Sequence, residues 1–146
     1  MNDNFLSTYS VETRDFLARF NEKYNFNNIR QHLDDLKDLK VLIVGDGIVD
    51  EYHYCEPMGK SAKANIIVNR YLENEVFAGG AFAIANHVSS LCDEVQLVTL
   101  LGKENSREGF ISGNLKPNVE RKFFFREDGP TIVKKRYVHN YSSQKL

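Results

Sequence analysis

The sequence predicts an α/β fold, and three observations carry that prediction. Lys40-Val-Leu-Ile-Val44 and Val95-Gln-Leu-Val-Thr-Leu-Leu101 are short apolar runs, each followed by a glycine, of the kind that forms buried parallel strands. Between them, Val76 to Asn86 reads Val-Phe-Ala-Gly-Gly-Ala-Phe-Ala-Ile-Ala-Asn, a diglycine at the mouth of an Ala-rich apolar segment. The expected architecture is a partial, mostly parallel central sheet flanked by helices.

Composition sets the outer limits. At 146 residues the chain suits one domain with a real core, and its formal charge of −1 gives no general pull toward nucleic acid or an anionic membrane. Hydrophobic residues make up 42% and aromatics 12%, far from the composition of a disordered chain. No apolar run reaches the roughly 18 residues that span a bilayer, and Met-Asn-Asp-Asn lacks the basic start of a secretion signal. A cytoplasmic protein is the expectation. Cys55 and Cys92 are too few for a disulfide framework and too far apart for a CxxC motif, so both read as reduced thiols.

Residues 1–38 read as a region of their own. Val11, Phe16, Leu17, Phe20 and Tyr24 lie near helical spacing, as do Ile29, Leu33 and Leu36, with a break at Asn25 to Asn28. Two short amphipathic helices are expected, forming a hairpin extension ahead of a domain over 39–146. The hairpin packs on that domain or on a second subunit.

The first strand closes on Gly45-Asp-Gly-Ile-Val-Asp50. A dinucleotide fingerprint would need a third glycine where Asp50 stands, and no helical stripe follows before Pro57, so a nicotinamide site is not expected. Ligands of open α/β sheets bind beyond the carboxyl ends of the strands, and a carboxylate there can accept hydrogen bonds from neighbouring sugar hydroxyls. Asp50 is the candidate for that contact, whereas Asp46 reads as a turn residue capping its own backbone. From Tyr52 to Phe77 the chain has strand traits, with β-branched and aromatic Asn65-Ile-Ile-Val-Asn-Arg-Tyr-Leu72, and paired strands projecting from the main sheet are expected. Gly59-Lys60-Ser61 lacks the first glycine and the leading strand of a P-loop.

At the diglycine, Gly79 and Gly80 allow a positive φ and a close approach by another molecule. Ala81, Phe82, Ile84, Ala85, Val88 and Leu91 recur at helical steps, so the following helix packs on the core. Two roles stay open for its start: packing alone, or the cradling of a ligand by its free N–H groups. After the second central strand, Asn105 to Leu115 reads as a short helix ended by Lys116-Pro117-Asn118. Arg121 to Glu127 and Thr131 to Val138 read as strands joined in a hairpin by Asp128-Gly129-Pro130. Lys134 and Arg136 share one face of the second strand, open to phosphate contact or simply to solvent.

Taken together, strand, Gly45-Asp46 with Asp50, an excursion of strands, Gly79-Gly80-Ala81, an Ala-rich helix, and a strand ending at Gly102 resemble the N-terminal half of a PfkB/ribokinase-family carbohydrate kinase. The resemblance runs from about Leu39 to the end and is strongest to the heptose-phosphate kinase domain of bacterial ADP-heptose synthases. It implies a ribokinase-like sheet between helices, with a small β lid formed by about 52–77 over the sugar. It also implies that Asp50 binds sugar hydroxyls while Gly79 and Gly80 line the pocket. The family places an asparagine where this chain has Ala83, and a small Gly or Ser where it has Cys92. Asn86, one turn beyond Ala83, is the candidate replacement in substrate binding.

The family's catalytic Gly-Ala-Gly-Asp motif, beside the ATP site, has no match in this sequence. ATP and Mg²⁺ are expected cofactors of the family, but no catalytic residue, no metal ligand and no ATP site is read in this chain. Ending at Ser142-Ser-Gln-Lys-Leu146, the chain reads as a fragment, inactive alone, that holds the acceptor side of a sugar or sugar-phosphate kinase. The alternative is a non-catalytic sugar-binding or oligomerisation module, homodimeric through its lid strands. Neither nucleic acid nor membrane is an expected partner.

Overall fold

A computed structural model describes residues 6–146. The Met1 to Asn4 stretch, read above against a secretion signal, lies outside them. The chain divides into two compact units, Met1–Leu39 and Lys40–Leu146.

The first unit is a helical hairpin. Helix α1 (Val11–Lys23) starts at Ser10, whose Oγ accepts from the Thr13 N–H, and carries Glu12 in its first turn and Lys23 in its last, both favourable to the helix dipole. Asn25 to Asn28, expected as a break, is the cap of the next helix, α2 (Phe26–Asp35). Each asparagine side chain there accepts from the other's backbone N–H, at 3.0 and 3.1 Å. The hairpin thus turns within two residues. Phe16, Phe20 and Tyr24 stack along α1 with centroids 6.0 and 5.1 Å apart, and a 3₁₀ turn, Leu36–Asp38, ends the unit.

The second unit holds two three-stranded sheets. β1 (Lys40–Val44), β4 (Glu94–Gly102) and β5 (Val119–Arg126) form the first in the order β1-β4-β5, with both pairings parallel. β2 (Gly47–Lys60), β3 (Ile67–Gly80) and β6 (Val133–His139) form the second, with β2 central, antiparallel to β3 and parallel to β6. Helix α3 (Ala81–Val88) follows β3, and α4 (Glu108–Asn114) follows β4. The core lies between α3 and the first sheet, where Phe82, Ala85, Val95, Leu97, Leu101, Ile111 and Val119 are buried. On β4, Val95, Leu97, Thr99 and Leu101 are buried while Glu94, Gln96 and Leu100 are exposed, so the strand is covered on one face. The opposite face leaves Leu42, Val44, Leu100 and Phe124 exposed.

The expected excursion from Tyr52 to Phe77 is present, and its strands extend further, from Gly47 to Gly80. The expected hairpin between residues 121 and 138 is not formed. β5 continues the first sheet beside β4, and the chain then crosses to lay β6 against β2. What directs the crossing is contact distant in sequence. Gly102 N donates to Thr131 Oγ1 at 2.9 Å, Thr131 Oγ1 donates to the Ser106 carbonyl at 2.7 Å, and Val49 N donates to the Ile132 carbonyl at 2.9 Å. Asp128-Gly129-Pro130 turns the chain, but it does not choose the partner of the next strand. The helix expected over Asn105 to Leu115 starts later, because Asn105 and Arg107 take positive φ of 47° and 57°.

Candidate functional site

β2 and β3 leave their shared face, at the end nearest α3, as a hollow of about 480 Å³. Side chains alternate along a strand, so Asp50, Tyr52 and Tyr54 of β2 reach it together, opposite Phe77, Glu75 and Glu73 of β3 in register. Ala78, Gly79 and, from α3, Ala83 complete the lining. Gly79 leaves the Asp50 carboxylate its place: a Cβ at this position would overlap it. Gly80, the N-cap of α3, has φ 57° and ψ −132°, a conformation that L side chains rarely adopt. That turn aims the start of α3 at the β1–β2 corner, where the Asp46 carbonyl accepts from Ala81 N at 2.9 Å. Asp46 therefore acts through its carbonyl, fastening the helix rather than capping its own turn. The other N–H groups of the first turn have no intrahelical partner.

Asp50 forms an ion pair with Arg136 of β6, with the two side chains 19% and 18% exposed. The Arg136 guanidinium also lies 4.9 Å over the Tyr52 ring, which stands edge-on to Phe77 at 5.9 Å. The Asp50 hydrogen bond raises the Arg136 pKa further above its ordinary range. Tyr54 Oη donates to Glu75 at 2.6 Å, and this hydrogen bond to a carboxylate holds the phenol pKa above its ordinary value. The hollow combines two carboxylates, three aromatic rings and bare backbone, a lining suited to a small polyhydroxylated molecule with an apolar face.

The structure therefore brings Asp50, Gly79 and Gly80 together and attaches Arg136 to them through Asp50. Lys134, in register with Asp50 on β6, is exposed and, with Arg136, lines a second shallow depression that also takes in Lys135, Tyr137 and Lys145. The structure does not bring Asn86 to the hollow. Its amide donates to the Asn114 carbonyl at 2.7 Å and accepts from Lys116 N at 2.9 Å, tying α3 to the connection between α4 and β5. Asn118 supports the same end of α3, donating to the carbonyls of Ser89 and Cys92. At the position where the resemblance expects asparagine, Ala83 lines the hollow without a polar group. Tyr52, Tyr54, Glu75 and Phe77 were not singled out from the sequence. The signal for the tyrosines was the period-two series Asp50, Tyr52, Tyr54.

On the reverse face of β2, Glu51 is 5% exposed. It accepts from His53 Nε2 at 3.1 Å, from Arg107 at 3.3 Å, and lies 3.6 Å from Lys135 Nζ. The His53 hydrogen bond holds its carboxyl below the usual carboxylate range, burial opposes this, and the Lys135 and Arg107 charges reinforce it. A carboxyl depressed in the folded state contributes stability above its unfolded pKa and loses it as pH falls through the folded value. Urea unfolding of the wild-type chain at pH 7 and pH 4 is thus expected to show a loss on acidification. Glu51→Gln should be less stable at pH 7 and lose less between the two.

No family model matches the sequence. The bifunctional protein HldE of Haemophilus influenzae is 32% identical over 111 residues, 76% of this chain, and HldE of Shewanella amazonensis is 35% identical over 100 residues. The chain spans 23% and 21% of the length of these two relatives. Among solved structures, a carbohydrate kinase from Agrobacterium tumefaciens superposes with a TM-score of 0.53 at 20% identity, covering 73% of this chain and 33% of that one. Ribokinase from Thermotoga maritima does so with 0.52 at 18%, covering 74% and 35%. These structures establish the fold, and the HldE proteins establish relatedness in sequence. The chain has the ribokinase fold and is related in sequence to the HldE proteins.

Proposed function

We propose that this chain supplies the sugar-binding and lid portion of an ATP-dependent kinase acting on a sugar or sugar phosphate of the heptose-phosphate kind, and that it transfers no phosphoryl group by itself. The observation that carries this reading is the placement of the Asp50 carboxylate against Gly79 in one hollow. There Asp50 accepts hydrogen bonds from sugar hydroxyls, Tyr52 and Phe77 offer an apolar wall to the C–H face of the ring, and Gly79 and Gly80 let it approach the backbone. Arg136, with Lys134 two residues before it on the same face of β6, is the contact for a phosphate on the same molecule. Phosphoryl transfer also requires a base on the attacking hydroxyl and stabilisation of charge on the phosphate, with ATP and Mg²⁺ as the family's cofactors. Among the described residues no group of His, Cys, Asp and Glu is arranged to hold a metal ion. Because the family's Gly-Ala-Gly-Asp motif has no match in this sequence, we assign this chain no catalytic residue. The exposed apolar face of the first sheet supports the view that further structure covers it in the complete enzyme. The reading places the protein in the cytoplasm, a compartment that keeps thiols such as Cys55 and Cys92 reduced. No helix among the described residues is long and apolar enough to cross a membrane.

A second reading, an oligomerisation module, is favoured by one observation. β3 is an edge strand that exposes Ile67, Val68, Tyr71 and Leu72, and two copies could pair there as a homodimer. A thermal-shift screen against sugars and sugar phosphates separates the two. A ligand at about 100 times its Kd adds about 2.7 kcal/mol, roughly a 10 °C rise. The kinase reading expects such a rise for the wild type and none for Asp50→Ala. A rise that survives Asp50→Ala removes Asp50 from the site, and silence toward every sugar favours assembly alone.

A further inference from the structure

Glu51 takes no part in the hollow, since neighbouring residues of a strand face opposite ways and Asp50 occupies the ligand side. A carboxylate buried this far persists only when partners hold it. Two of its partners, His53 and Lys135, belong to the lid sheet itself. The third does not: Arg107 stands in the connection from β4, a strand of the first sheet, to α4. Its backbone is left-handed at φ 57°, a conformation that a non-glycine residue keeps only where its surroundings over-determine it. The same connection is fastened a second time, by Thr131 on the Ser106 carbonyl. β6 meanwhile grips β2 from both sides, Arg136 on Asp50 in front and Lys135 on Glu51 behind. Any tilt of β2 that frees Glu51 must therefore move Asp50.

We propose that the Glu51–Arg107 pair is a latch between the root of the lid sheet and the β4–α4 connection, and that both are positioning residues for Asp50. The clause about Asp50 as a ligand contact rests on the sugar-binding reading above; the latch does not. Hydrogen–deuterium exchange and binding of sedoheptulose 7-phosphate, used as the probe, test the two parts. Arg107→Met, which keeps the stem and removes the charge, should speed exchange several-fold over residues 48–52 and 133–136 while leaving 95–101 unchanged. Glu51→Gln should do the same, and the double variant no more. Probe binding to Arg107→Met should weaken by about ten- to hundred-fold, the scale of a small misplacement. Arg107→Lys carries the same backbone strain and restores the charge, so it should recover both readouts. Unchanged exchange over 48–52 in Arg107→Met, or Arg107→Lys no better than Arg107→Met, overturns the latch. A wild-type protein indifferent to the probe overturns the sugar-binding reading instead, and the exchange comparison still decides the latch.

Discussion

Gly102→Ala is expected to unfold the second unit at temperatures the wild type tolerates, with a cost of about 3–5 kcal/mol, at the upper end of what single substitutions do. A Cβ on Gly102 would run into the backbone of Pro130 and Thr131, and backbone cannot step aside as a side-chain tip can. Relief would require moving the 127–132 crossing, which also carries the Thr131 bonds to Gly102 and Ser106 and delivers β6 to β2. With about 4 °C lost per kcal/mol in a unit of this size, the melting temperature should fall by at least roughly 12 °C. Calorimetry of the two proteins reads this directly. A fall of only a degree or two would mean that the crossing yields easily and does not hold the two sheets in register.

The second large effect is on binding. Gly79→Ala should cost about 1.5–3 kcal/mol of sugar affinity, roughly ten- to a hundred-fold in Kd, the worth of hydrogen bonds to a charged group. A methyl group at position 79 takes the place of the Asp50 carboxylate, so Asp50 must rotate away from Arg136 and out of the hollow. The glycine's φ needs no special freedom here, unlike that of Gly80, so the fold should tolerate the change better than the site does. Isothermal titration of the variant alongside Asp50→Ala checks the argument. The two should lose similar affinity, because both remove the same carboxylate from the same place, and an unaffected Gly79→Ala would separate the glycine from the site.

How far the sequence disclosed this arrangement depended on whether the deciding contacts were local. β1 and β4 were legible because continuous apolar runs ending at glycine serve parallel strands, whereas their register, Val41 to Val95 and Ile43 to Leu97, is read from the structure. Gly80 was legible too, since a diglycine before an apolar helix signals a backbone turn that other residues resist. The partner of β6 was not. Asp128-Gly129-Pro130 suits a hairpin and a crossing equally, and the choice lies in the bond from Gly102 to Thr131, 29 residues apart. In the site, Asp50 and the diglycine stand out in the sequence, but Tyr52 and Tyr54 do not, because a period of two shows that they share a face with Asp50 and not that the face is a ligand's. Asn86 stands out as the asparagine one turn beyond Ala83, whereas its amide answers the Asn114 carbonyl and the Lys116 N–H, contacts that join it to residues 28 and 30 positions away. Glu51 does not stand out, since the groups that hold it, Arg107 and Lys135, lie far away in the chain.

The central claim is that Asp50 and the diglycine corner make one carbohydrate site. Mapping backbone amide shifts by NMR while sedoheptulose 7-phosphate is added tests it most directly. The claim predicts that the amides of Asp50, Gly79 and Gly80 move together along one saturation curve, and that Asp50→Ala abolishes the response. Shifts confined to the Lys134–Tyr137 depression with Gly79 and Gly80 still, or an unchanged response at the diglycine in Asp50→Ala, would contradict it.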